Sequence, residues 1–151
     1  VNKNWKFELK KSLNINSIVT CIRTNAEMPS SQNAITNTIF RNHLDGRAFC
    51  NDPDVFFLRD INIGYNWEQK LLHGKVNSVC GNVLFVSDNA GDFDDNRIEH
   101  LKDFFKDKAY KVNMAEFVGE DVIRLDFTED GVDKSLTMNL ITGESNVFDV
   151  L

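Results

Sequence analysis

The sequence predicts an α/β arrangement followed by an all-β segment, and three observations carry that reading. Strand-like and helix-like patterns alternate over residues 17–107. Each predicted strand in that region is followed by a polar cluster: Arg23–Glu27, Asn51–Asp54 and Ser87-Asp88. Beyond Lys108 the apolar period changes from helical to alternating. Repeated βα units imply a parallel sheet, and such sheets place ligand sites at the carboxyl ends of their strands.

In chain order, Trp5, Leu9 and Leu13 form a helical stripe that Asn14-Ile15-Asn16 ends. Ser17–Ile22 is β-branched and mostly apolar, as a buried strand would be. Pro29 and Ser30-Ser31 start a helix that reaches about Asn42, and a short strand is expected over Arg47–Cys50. An Asn-Asp-Pro-Asp turn follows at residues 51–54. Leu72, Val76 and Val79 predict a helix over residues 66–80, with Gly81 as its stop. Val83–Val86 is continuously apolar, the pattern of a strand covered on both faces. Asp94–Lys106 reads as a helix with acids at its start and lysines towards its end. After a boundary near residues 107–110, alternation at Val112, Met114 and Val118, at Ile123, Leu125 and Phe127, and at Leu136, Met138 and Leu140 predicts an antiparallel meander. Its turns are Gly119-Glu120-Asp121, Glu129-Asp130-Gly131 and Thr142-Gly143-Glu144.

Composition narrows the function classes. The chain has 151 residues and a net charge of −6, with no Lys/Arg run, so no nucleic-acid partner is expected. No apolar stretch reaches membrane length and no signal-peptide pattern opens the chain, so neither a membrane partner nor export is expected. The three cysteines, Cys21, Cys50 and Cys80, have no disulfide or zinc spacing and read as small buried hydrophobes in a reducing, cytoplasmic compartment. The acids around Asp92 lack the glycine of a calcium loop, so helix capping is the expected role and no metal is expected. No Gly-rich phosphate loop follows a strand, which excludes a flavodoxin-like nucleotide site, and no cofactor is expected. The chain opens at Val1 inside an amphipathic pattern, and a portion of a longer polypeptide is expected.

Arg41 and the run Arg47-Ala48-Phe49-Cys50-Asn51-Asp52-Pro53-Asp54-Val55-Phe56-Phe57-Leu58-Arg59 resemble the R-x-W-L-N-D-P-D-x-x-x-x-R segment of bacterial and plant α-galactosidases. Gly81–Asp88 resembles the next strand of that family, which ends in Ser-Asp, and Cys21–Glu27 is similar to its Arg-x-x-x-Asp motif. The resemblance implies the last three βα units of a (β/α)8 barrel (residues 1–108) followed by a small antiparallel C-terminal β-sandwich (residues 109–151). It implies retaining hydrolysis of terminal α-galactosides, with Glu27 at the acid/base position and Arg23 beside it. Asn51, Asp52, Asp54 and Asp88 match positions that line the sugar pocket or brace strand ends. The nucleophile would lie outside this chain, so the chain alone is expected to be inactive and to assemble with the rest of the barrel.

The family has Asp where this chain has Glu27. The extra methylene moves the carboxyl by ~1.5 Å, whereas a retaining pair sits ~5–5.5 Å apart. A compensating local backbone, a different substrate or lost activity would accommodate that change, and a non-catalytic carbohydrate-binding or assembly module is the alternative. Turn capping by Asp52 and Asp54, and a surface Arg23–Glu27 pair, are the ordinary readings of the same residues.

Overall fold

Alternation beyond Lys108 produces the meander it predicts. In the computed structural model, which describes residues 27–51, 53 and 55–149, strands β1 (Tyr110–Phe117), β2 (Val122–Glu129), β3 (Val132–Asn139) and β4 (Ser145–Asp149) pair antiparallel in the order β1-β2-β3-β4. The β2–β3 hairpin turns on Asp130-Gly131, both at positive φ (50° and 87°), the geometry that an Asp-Gly pair favours. Among the described residues three α-helices precede the sheet: α1 (Glu27–Phe40), α2 (Trp67–Cys80) and α3 (Asp95–Phe104).

The helix boundaries follow local chemistry. Asn66 caps α2 in a reciprocal box: its side chain accepts from the Gln69 N–H (2.8 Å), and the Gln69 side chain accepts from the Asn66 N–H (2.8 Å). Asp94 caps α3 by accepting from the Arg97 N–H at 2.8 Å. Gly81 ends α2 in an extended conformation. A Cβ there would lie 2.6 Å from the Asn77 carbonyl and 2.9 Å from the Pro53 ring, so close approach requires the glycine.

One apolar cluster joins the helices to the sheet. Ile35 and Ile39 of α1 and Leu72, Val76 and Val79 of α2 pack on Ile123, Leu125 and Phe127 of β2 and Leu136 and Met138 of β3. It draws on residues from both sides of the expected boundary near 107–110. A second cluster, centred on buried Phe56, Leu58 and Phe104, gathers Trp67, Leu71, Leu84, Val86 and Leu101.

The expected barrel units and β-sandwich are corrected by this architecture. Residues 17–22 lie outside the described residues. Arg47–Cys50 is not a strand: the Arg47 and Ala48 N–H groups turn back to the Leu44 carbonyl (3.1 and 2.9 Å), leaving a single bridge between Asp45 and Phe49. Among the described residues Val83–Val86 contributes one parallel bridge, Phe56–Val86, instead of a ladder. Its apolar run is covered on one side only, and Phe85 remains 51% exposed. Apolar β-branched residues supply the propensity for a strand, but a ladder needs consecutive partners on both edges. The described residues form a single sheet, and on its face away from the helices Asp126 accepts from Ser135 (2.6 Å) and Arg124 (3.0 Å).

Candidate functional site

Of the six residues that the sequence singled out, Arg23, Asp52 and Asp54 lie outside the described residues. So does the side chain of Glu27, whose backbone opens α1. The remaining two, Asn51 and Asp88, are placed in full.

Asn51 is buried where α1 and α2 end. Its amide donates to the Thr38 carbonyl (3.0 Å) and the Cys80 carbonyl (2.8 Å). Its backbone N–H donates to Asp45 (2.6 Å), and its carbonyl accepts from the Asn82 N–H (2.9 Å). Helix C-termini leave carbonyls without intrahelical donors, and Asn51 satisfies one on each helix. Asp88 has a fully buried side chain (0% exposed) that accepts from the N–H groups of Leu58 (2.5 Å) and Arg59 (3.2 Å) and pairs with the Arg59 guanidinium at 2.6 Å. Both residues therefore serve the chain running through Asn51–Arg59 and Gly81–Asp88. Asn51 sits at the amino end of those paired segments and Asp88 at the carboxyl end, so the structure does not bring the two together.

The carboxyl end carries a cluster that sequence reasoning missed. Asp60 Oδ1 lies 2.5 Å from Lys70 Nζ, and Asp60 Oδ2 lies 2.5 Å from an Arg97 guanidinium nitrogen. Arg97 also donates to the Leu58 carbonyl (3.0 Å) and pairs with Asp94 (2.5 Å), with its guanidinium 5.5 Å from the Trp67 ring centre. The hydrogen bond from Lys70, aided by the charges of Lys70 and Arg97, holds the Asp60 carboxyl below its ordinary value against the opposing effect of desolvation. No spacing rule could have found Lys70. A lysine beside leucines on an amphipathic helix reads as solvated surface, and burial alone distinguishes it.

An open polar groove of about 490 Å³ lies at the amino end, lined in part by Asn42, His43, Asp45, Arg47, Asn82, Lys108, Tyr110 and Lys111. Its volume is in the range of small-molecule sites. The Asp45 carboxylate is fixed there by the Asn82 amide at 2.6 Å. Cys80, beneath the groove, has its thiol pushed up to about 12 by burial, with Asp45 adding to the effect, whereas Cys50 is exposed. The expectation of small buried hydrophobes therefore holds for Cys80 and not for Cys50.

Among the described residues, no group of three or more His, Cys, Asp or Glu side chains could hold a metal ion. No described helix is long and apolar enough to cross a membrane. No protein-family model and no curated protein matches the chain.

Proposed function

We propose that this chain is the C-terminal part of a glycoside hydrolase resembling the α-galactosidases, acting on terminal α-galactosides with retention. Glu27 takes the acid/base position with Arg23 beside it, and the nucleophile belongs to another part of the enzyme. One observation supports this reading above the others. The segments bearing the Asn-Asp-Pro-Asp and Ser-Asp sequences lie side by side and run in the same direction, joined by the Phe56–Val86 bridge. Their carboxyl ends are fixed by the buried Asp88 carboxylate, which pairs with half-buried Arg59. Within this proposal Asn51 and Asp88 position the surrounding loops, since their side-chain hydrogen bonds are directed to the protein.

The test is hydrolysis of an aryl α-galactoside by the intact protein from its source and by its Glu27→Gln variant. General acid–base catalysis contributes ~100-fold to 10,000-fold, and the variant should lose activity in that range. The 151-residue chain alone should show none. Turnover that is indifferent to Glu27 would sink the proposal.

A second reading, a non-catalytic carbohydrate-binding module that recognises galactoside-type sugars, is favoured by the polar groove around Asp45, Arg47 and Asn82. Carboxylates, amides and an aromatic ring are the groups that grip sugar hydroxyls and C–H faces. Galactose binding in that groove, with no turnover by the intact protein, would decide for it.

A further inference from the structure

We propose that Lys70 and Arg97 form a binding site for a small-molecule oxyanion, a carboxylate or a phosphate, and that Asp60 fills it from within the chain. The inference starts from an imbalance in burial. The Lys70 side chain is only 2% exposed, yet the carboxylate that neutralises it is 69% exposed. A buried ammonium is costly unless paired, and the usual solution is a partner buried with it. Here the anion has one face on the protein and the other in solvent, which is how a bound ligand sits.

The contact geometry is that of a bridging ligand. Each oxygen of Asp60 meets a different cation, Lys70 at 2.5 Å and Arg97 at 2.5 Å. A free carboxylate or phosphate presents the same pair of oxygens. Arg97 is also held by groups other than Asp60, the Leu58 carbonyl and Asp94, and the backbone of Lys70 is fixed in α2. Asp60 itself sits in the irregular stretch between Leu58 and Asn66, beside Ile61 (75% exposed) and Asn62 at a φ of 60°. Displacing it would disturb little packing and leave Arg97 on its other partners, the Leu58 carbonyl, Asp94 and the Trp67 ring. This site stands independently of the hydrolase reading.

The experiment compares the 151-residue chain with its Asp60→Asn variant in inorganic phosphate, in acetate and in chloride at matched ionic strength. Melting temperature and amide NMR shifts are read in each. The variant should melt lower in chloride and recover in phosphate or acetate, because a ligand that binds only the folded state stabilises it. It should bind the anion at least tenfold more tightly than the unchanged chain, with shifts centred on Lys70 and Arg97. Stronger recovery in phosphate identifies a phosphate ligand, and stronger recovery in acetate a carboxylate. Adding Lys70→Met should abolish the recovery. A variant that melts alike in all three salts, stays unfolded in all three, or binds no more tightly than the unchanged chain overturns the proposal.

Discussion

Replacing Gly143 with alanine tests how the sheet is fastened to the helices. Gly143 lies in the β3–β4 turn at a φ of +81°, and a Cβ there would sit 2.3 Å from the Gln69 backbone nitrogen and 2.6 Å from Gln69 Cα and the Glu68 carbonyl carbon. Holding alanine in the left-handed region costs about 1–2 kcal/mol. The clash is with main-chain atoms, so no rotamer change relieves it and the turn must lift from the start of α2. That movement breaks the bonds from Asn66 to the Thr142 carbonyl (2.9 Å) and from Gln69 to the Ile141 carbonyl (2.6 Å). Each contributes about 0.5–1.5 kcal/mol, and both are solvent-exposed, so the low end applies. The total is a loss of about 2–3 kcal/mol, measurable by urea unfolding followed by circular dichroism. Gly131→Ala is the matched control: its φ is +87° but nothing lies within 4 Å of the new Cβ, so it should lose only the strain of about 1–2 kcal/mol. Equal losses in the two variants would refute the docked turn.

Three further outcomes are expected. Gly74→Ala would place a Cβ 2.5–2.9 Å from the Phe104 ring; overpacking of this kind costs about 1–3 kcal/mol, readable as a lower melting temperature. Asn51→Ala leaves the Thr38 carbonyl without this donor, at about 1–3 kcal/mol, whereas the Cys80 carbonyl keeps the Asn42 amide at 3.1 Å; a stable variant with weakened galactose binding would instead make Asn51 a sugar ligand. At Glu129 burial pushes the carboxyl up, but hydrogen bonds from Lys108, Lys134 and Tyr110 outweigh it and bring it from 4.5 down to about 2. A depressed carboxyl stabilises the fold above its unfolded value, and that contribution is lost as pH falls through the folded value. Acid unfolding between about pH 5 and 2 should therefore be shallower in Glu129→Gln.

Local signals in the sequence were legible and non-local ones were not. The period-2 runs around Leu125 and Leu136 gave β2 and β3 because one face of each strand is buried and the other is wet, and Asp94 announced the start of α3. Val83–Val86 misled because an apolar run records propensity but not the number of neighbours, and among the described residues it finds Phe56 alone as a bridge partner. Arg47–Cys50 misled because the Leu44 carbonyl takes two of its N–H groups. At the candidate sites, the types of Asn51 and Asp88 suggested sugar contacts. Their burial, which depends on helices and segments far away in sequence, directs them to the backbone instead. Lys70 was invisible for the same reason.

The two edges of the sheet are unequal. β1 carries a bulge between Val112 and Met114 and lies against α2, whereas every residue of β4 is exposed and, among the described residues, β4 joins the sheet through β3 alone. Amide protons in β4 should exchange with solvent through local fraying, while those of β2, flanked on both sides and holding the core, exchange only when the whole fold opens. Fraying also bares the edge of β3, which carries the bonding pattern that a neighbouring molecule's Ser145–Asp149 can complete. At high concentration β4 is thus the segment poised to trade places between copies.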